Sequence, residues 1–401
     1  QLKGVIIMKI LVLNCGSSSL KFQLIDMENE VRMIKGNYER IGGKRSCLRI
    51  NIKGEKHEIE KAARSYEEAI KTVLNLLQEP KYNLISSLDE ISAVGHRIVH
   101  GGEKYNKSVL ITDEVIEEIK KCVPLAPLHN PEGLAGIKAT KKVMGDKPMV
   151  AVFDTAFHQS LPSTAYIYQI PYKYYEKYKI RKYGFHGTSH MYVSNRIAQI
   201  LHKDIKELKI INCHLGQGAS ICAINFGKSV DTTMGLTPTA GIPMATRCGD
   251  IDPAIIPYIM NLENLDTNEV EGMLNKKSGA WGVSGVSEDY RDIEKEYKQG
   301  DERSILALDT QAYKIAQTIV SYMVPLQGLD VITFSGGVGE KGIEARERIC
   351  KHLEFLGINI DKDRNNVRAC EALISTDDSK VKLYVVPTNE ELMIARDTYE
   401  I

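Results

Sequence analysis

Two stretches about half a chain apart follow one pattern, and that pattern limits the folds open to this sequence most. Ile10–Leu13 is an apolar, β-branched run. It ends in Asn14-Cys15-Gly16-Ser17-Ser18-Ser19 and resumes as Leu20-Lys21-Phe22-Gln23-Leu24-Ile25, alternating apolar and polar. Ile210-Ile211-Asn212-Cys213-His214-Leu215 meets Gly216-Gln217-Gly218-Ala219-Ser220 and continues as Ile221-Cys222-Ala223-Ile224. Each reads as strand, Gly/Ser-rich turn, strand. A repeated unit at this spacing suggests a duplicated domain. Strand–turn–strand units are common, so the pair alone leaves duplication and coincidence both open.

Strand-like and helix-like segments alternate through the 401 residues, which argues for an α/β chain of two or three domains. Helical spacing runs over Ser65–Gln78, and over Thr112–Lys121 with Thr112 as N-cap. Asn130-Pro131 reads as N-cap and first residue of a helix to about Met144. Ser189–His202 and Ile305–Val324 are also helical in pattern, and Met149–Phe153 is a strand. A third glycine loop, Ser335-Gly336-Gly337-Val338-Gly339-Glu340, follows a strand and precedes a helix near Ile343. Tyr384–Pro387 is a strand, and Thr388 with Glu391 fits a capping box.

Composition removes several classes. Lys+Arg and Asp+Glu both number 52, so no global positive field points to nucleic acid. With 43 % hydrophobic and 26 % charged residues, the chain is neither disordered nor unusual for a globular protein. The eight cysteines contain no C-x-x-C pair, which argues against structural zinc and for reduced thiols in the cytoplasm. Val5–Leu13 followed by Cys15 resembles a lipoprotein signal. However, Lys9 interrupts it, Asn14 replaces the small residue wanted there, and the run is too short to span a membrane. Residues 1–7 read as an extension ahead of a start at Met8.

Glycine lets a backbone approach an anion, so three Gly/Ser turns after strands favour phosphate binding. G-x-x-x-x-G-K-[ST] does not occur, which excludes a P-loop NTPase, and no G-x-G-x-x-G opens the chain, which lowers a Rossmann reading. Gly95-His96-Arg97-Ile98-Val99-His100-Gly101-Gly102 and Ala245-Thr246-Arg247-Cys248-Gly249-Asp250 each offer an arginine among glycines. Such an arginine can clamp a carboxylate or phosphate, although each stretch alone also reads as a surface turn. Leu128-His129-Asn130 opens a helix, where an anion contact and a cap are both open. Asp154 closes a strand, and His186 sits between Phe185 and Gly187 before a helix.

In this order the motifs resemble the acetate kinase family, from Met8 to near the C-terminus. They are N-C-G-S-S-S-L-K at 14–21, G-H-R-I-V-H-G-G at 95–102, F-D-T-A-F-H at 153–158 and Y-G-F-H-G-T-S-H at 183–190. H-L-G-Q-G-A-S at 214–220, T-R-C-G-D at 246–250, G-G-V-G-E at 336–340 and T-N-E-E at 388–391 complete the set. The resemblance implies two duplicated ribonuclease-H-like, actin-like ATPase domains flanking an active-site cleft. It implies an acyl- and phosphate-binding domain over 8–156, completed by 387–401. A nucleotide-binding and dimerisation domain is implied over 157–386, in a cytoplasmic homodimer with no membrane or nucleic-acid partner.

The implied reaction is reversible, direct in-line phosphoryl transfer between ATP and acetate, giving ADP and acetyl phosphate. It uses Mg²⁺, with Mn²⁺ as an alternative. Asn14 and Glu390 match metal positions, and Ser17, Ser19 and Lys21 match the first phosphate loop. Arg97, Arg247, Asp154, His186 and His129 match catalytic positions, with Asp154 expected to act mainly through the metal. His214, Leu215, Gly216, Gln217 and Gly218 match one nucleotide stretch, and Asp289, Tyr290 and Arg291 another. Gly337, Val338, Gly339, Glu340 and Lys341 match a third, and Val99, Leu128, Phe185 and Pro238 match a pocket for the acetate methyl. Gln217 and Lys341 depart from the family pattern, which has Asn at both, and bear on nucleotide preference. The rivals are a propionate or butyrate kinase and a non-enzymatic actin-like ATP switch.

Overall fold

The computed structural model describes residues 8–43, 46–127 and 129–401. Lys44, Arg45, Leu128 and the seven residues before Met8 lie outside the described residues. Contacts divide the chain into two units, 1–156 with 389–401, and 157–388.

The first unit is built on strands β1 (Lys9–Gly16), β2 (Ser19–Asp26), β3 (Val31–Glu39), β4 (Cys47–Ile52), β5 (Glu55–Glu60), β6 (Ile91–Ile98), β7 (Val109–Leu110) and β8 (Met149–Phe153). The sheet order is β5-β4-β3-β2-β1-β6-β8-β7. β1, β2 and β3 form an antiparallel meander, while β1, β6 and β8 run parallel. β1 and β8 are buried on both faces, which is why they read as continuous apolar runs. One face packs on Tyr66–Leu77 and Asn130–Met144; Ile70, Val73 and Ile137 join Leu11, Leu13 and Phe153 there. The other face packs on the C-terminal helix Glu390–Glu400, where Ile394 and Ala395 meet Ile10, Val12 and Val152.

The second unit carries β9 (Lys209–Leu215), β10 (Ala219–Asn225), β11 (Lys228–Thr232), β12 (Val331–Ser335), β13 (Ala372–Leu373) and β14 (Lys382–Val385), in the order β11-β10-β9-β12-β14-β13. β9, β10 and β11 are again an antiparallel meander, and β9, β12 and β14 are again parallel. The core orders β3-β2-β1-β6-β8 and β11-β10-β9-β12-β14 are the same topology. The chain is therefore α/β with a duplicated core, and the repeat between the two hairpins is real.

Several local expectations change. The helices span Gly187–Ile200 and Glu302–Leu326, each beginning earlier than its pattern suggested. Thr112 does cap its helix, accepting from Val115 N. Asn130, expected as a cap, is instead the first helical residue, and His129 stands at the cap without a side-chain bond to the helix. The Asn130 amide is taken by the chain after β6: it accepts from His100 N (3.1 Å) and donates to His100 O (3.0 Å). The last helix is capped by Asn389, which accepts from Leu392 N, and not by Thr388. Thr388 is bonded to Ser189 instead.

Candidate active site

In both units the chemistry-bearing residues gather at the carboxyl ends of the parallel strands, where α/β sheets bind ligands. In the first unit β1 ends on Asn14, β6 delivers Arg97, and β8 runs into Asp154. The Arg97 guanidinium forks onto Asp154: Nε donates to Oδ1 at 3.0 Å and Nη2 to Oδ2 at 2.6 Å. Asp154 is 2 % exposed and Arg97 24 %. Arg97 is held firmly protonated, first by the Asp154 charge. Glu390 belongs to the same cluster. Burial pushes its carboxyl up to about 7; Asp154 and Glu391 push the same way, while Arg97 and Lys21 oppose. Lys21 lies opposite Asn14 in the β1–β2 register, with Ser17 exposed and Ser19 half-buried at the turn. Val99 is half-buried just beyond β6, and His129 is exposed.

Asn14, Asp154 and Glu390 offer hard oxygens suited to a divalent cation. No group of three His, Cys, Asp or Glu among the described residues could hold an ion unaided. The set therefore fits a cation that brings most of its ligands as water and phosphate oxygens.

In the second unit Gly184 turns at φ 76°, and His186 follows at φ 55°, a left-handed conformation that a non-glycine residue adopts at a cost. This places His186 at the head of Gly187–Ile200. Its ring stacks on His214 (centroids 4.3 Å apart), and its Nδ1 lies 2.9 Å from Ser220 Oγ. Gly218 is needed for close approach: a Cβ there would lie 3.2 Å from Arg247 Nη1 and 3.6 Å from His186 Nε2. Arg247 Nη1 contacts Pro238 O at 3.3 Å and Met244 Sδ at 3.6 Å. Among the described residues Arg247 has no carboxylate partner, and burial lowers its pKa. A half-buried guanidinium without a counter-ion, beside a histidine and an open glycine turn, suits an anion. Phe185 is buried, its carbonyl 2.9 Å from His158 Nε2.

A cavity of about 680 Å³ lies wholly within this unit. It brings together Gly216 and Gln217 after β9, and Asp289, Tyr290 and Arg291 at a helix start. Gly337, Val338 and Lys341, from the loop after β12, complete the expected part of its wall. Asp289 caps Tyr290–Lys298 and pairs with Arg291, which holds its carboxyl down at about 2. Gln217 Nε2 donates to Glu288 O at 3.2 Å, and Arg368 donates to Lys341 O at 2.8 Å. Gly336, at φ 74°, lets the loop pass Leu215 O, which a Cβ would meet at 2.6 Å.

Two of the expected residues also brace their own loop. Glu340 Oε1 accepts from Gly336 N and Thr388 N, both at 3.0 Å, bracing the loop. Gly339 O accepts from the buried Arg346 at 2.8 Å. His214 and Leu215 lie on β9 behind the turn. Leu128 lies outside the described residues. Sequence reasoning missed Gln311, which donates to Tyr290 Oη (2.6 Å), and the Arg348–Glu294 pair in the cavity wall. These are single residues of ordinary amphipathic helices and carry no motif.

The family model of the acetokinase family matches residues 9–396. An acetate kinase of Thermoanaerobacterium thermosaccharolyticum is 57 % identical over 395 residues, covering 98 % of this chain and 99 % of its own. The crystal structure of Porphyromonas gingivalis acetate kinase superposes with a TM-score of 0.94 at 46 % identity, covering 98 % of this chain and 99 % of its own. A propionate kinase from Francisella tularensis gives 0.92 at 41 %, covering 98 % and 100 %. The motifs, the duplicated sheet topology and these matches together establish that the chain belongs to the acetokinase family.

Proposed function

We propose that this protein catalyses reversible phosphoryl transfer between ATP and acetate, producing ADP and acetyl phosphate. Arg247 carries the reading: a half-buried guanidinium with no carboxylate partner among the described residues, next to His186 and the Gly218 turn. Acetate is ionised at neutral pH, since such acids have pKa values of about 4, so no base is needed to make the nucleophile. The obstacle is bringing an anion to a polyanion.

In this reading Arg97, oriented by Asp154, offers its remaining N–H groups to the acetate carboxylate. Val99, Phe185 and Pro238 meet the methyl, and Leu128 is assigned there too. A carboxylate oxygen attacks Pγ in line, and the β-phosphate oxygen leaves with the bonding pair. Arg247 and His186 donate to the equatorial oxygens, where charge accumulates. Ser17, Ser19 and Lys21 hold phosphate from the first unit, and His129 supports the acyl end. The 680 Å³ cavity takes the nucleoside, against Asp289, Tyr290, Arg291 and the 337–341 loop. Asn14, Asp154 and Glu390 would hold a divalent cation, Mg²⁺ with Mn²⁺ as an alternative, which when bound would supply neutralisation of phosphate charge.

The domain roles follow the same reading: 8–156 with 387–401 for acyl and phosphate groups, 157–386 for nucleotide and dimerisation. The homodimer is supported by Ile255–Glu263, a helix with no buried residue and with Tyr258 66 % and Leu262 65 % exposed. All eight cysteines are free thiols, in keeping with the cytoplasm. No helix among the described residues is long and apolar enough to cross a membrane. Membership of an enzyme family favours catalysis over an actin-like switch. The propionate kinase relative leaves chain length to kinetics, because a methylene is discriminated by only about 1–3 kcal/mol.

Hydroxamate trapping of the acyl phosphate tests the arginines. Arg97→Ala and Arg247→Ala should lose turnover by about 100-fold or more while ATP binding, measured by calorimetry, changes little. A folded Arg247→Ala protein with near-normal turnover would remove it from the site.

A further inference from the structure

Behind His186 lies a chain of buried polar groups that the mechanism above does not use. Asn212 Nδ2 is 2.9 Å from His190 Nδ1, His190 Nε2 is 2.8 Å from Ser220 Oγ, and Ser220 Oγ is 2.9 Å from His186 Nδ1. Asn212, His190 and Ser220 are fully buried. The chain has two self-consistent polarities, one making His186 Nε2 a donor and the other an acceptor. The far end selects between them. Thr333 Oγ1 and Ser335 Oγ, also fully buried, lie 2.8 and 3.2 Å from Asn212 Oδ1. Their hydroxyl hydrogens have no other acceptor among the described residues, so both donate to Oδ1. A reversed amide would leave two buried hydroxyl hydrogens unmet, at about 1–3 kcal/mol each.

Asn212 therefore presents its NH₂ to His190, whose Nδ1 must accept. His190 is neutral, its pKa driven well below 6.5 by burial first and then by His158 and His214. Its one hydrogen is on Nε2 and is donated to Ser220 Oγ. The Ser220 hydrogen then goes to His186 Nδ1.

We infer that Asn212, His190 and Ser220 are positioning residues that fix His186 as the Nε2–H tautomer. That tautomer presents a donor, which an anionic phosphoryl oxygen needs. The other tautomer would present a lone pair to it. This consequence for catalysis rests on the proposed function; the tautomer itself does not.

The test uses the full chain labelled with ¹⁵N-histidine, at a pH where histidine is neutral. The His186 signals are assigned by their loss in His186→Asn. Wild type should give a pyridine-like Nδ1 and a pyrrole-like Nε2. Ser220→Ala, a small change that cuts the chain, should give a mixture of tautomers. It should also lower kcat by about 10–100-fold with ATP KM little changed. Ser189→Ala, which cuts the bonds to His214 and Thr388 but none in this chain of groups, should leave the His186 tautomer as it is. A pyrrole-like Nδ1 in wild type, or a Ser220→Ala protein that keeps the wild-type tautomer, would overturn the inference, as would a wild-type kcat in Ser220→Ala where His186→Ala is slow. Full activity in His186→Ala would sink the catalytic reading instead, and would leave the tautomer result standing.

Discussion

Replacing Asp154 by Asn should damage both the first unit and the reaction, and the size follows from the Arg97 fork. Two hydrogen bonds of 3.0 and 2.6 Å join a carboxylate 2 % exposed to a guanidinium 24 % exposed. Charge centres about 4 Å apart attract by about 4 kcal/mol at the effective dielectric suited to such sites. Asn keeps one acceptor but turns an NH₂ toward the arginine's own donors. Breaking a buried pair on one side costs about 3–5 kcal/mol, because the remaining charge is left unpaired. Partial exposure of Arg97 places the expected loss near the lower end, at about 3 kcal/mol. Urea denaturation should show it in the transition that unfolds the first unit. The double variant Asp154→Asn, Arg97→Met should recover part of the loss, since an apolar residue leaves no unpaired charge. Turnover should fall by about 100-fold or more once Arg97 loses its orientation, and the Mg²⁺ requirement should rise. If Asp154→Asn unfolds within about 0.5 kcal/mol of wild type, the fork does not act as described here.

Arg346 donates four bonds of 2.7–2.9 Å to Asn365, Val367 and Gly339. Arg346→Met should cost about 3–5 kcal/mol, less than the sum of four buried acceptors, and should raise the ATP KM as the 336–341 loop loosens. Thermal melts and ATP titrations read the two effects. Asp397 is pushed up to about 6, by burial first, despite accepting from Ser108 Oγ at 2.5 Å. A raised acid contributes stability that is present below about pH 4 and lost as pH rises through 6. Asp397→Asn should therefore flatten the pH dependence of stability. Above pH 6 it should gain about 1–2 kcal/mol relative to wild type in urea titrations. Gly218→Ala should fold normally but slow turnover, because its Cβ forces Arg247 Nη1 to move from 3.2 Å; unchanged kcat would refute that placement.

Much of the fold is legible because buried parallel strands read as apolar runs, and because Ser65, Thr112 and Asp289 mark their helix starts. β5 is not legible: Glu55–Glu60 is polar and mostly exposed, so no apolar face announces a strand. The Asn-Cys echo between the hairpins marks the repeat, but it is not an echo of position. The first hairpin turns through Ser17 and Ser18, with Asn14 two residues before the last paired Gly16. The second turns through Gly216, Gln217 and Gly218, with Asn212 three residues before Leu215. One residue of offset reverses the sheet face. Asn14 is thus half-exposed near the Ser17–Ser18 turn, whereas Asn212 is buried behind His186. Motif residues such as Arg97 and Arg247 are visible as letters. Their difference is not: one is matched by Asp154, and the other stands without an acid among the described residues. Such partnerships depend on contacts far apart in sequence, as do those of Arg346 and Gln311.

The central claim is that this chain makes acetyl phosphate. The most direct measurement is ATP-dependent acyl hydroxamate formation by the wild-type protein with acetate, propionate and butyrate, compared as kcat/KM. Acetate should give the highest value, falling with each added methylene by a factor consistent with about 1–3 kcal/mol. A higher kcat/KM for propionate or butyrate, or ATP binding with no acyl phosphate from any of the three, would contradict the account.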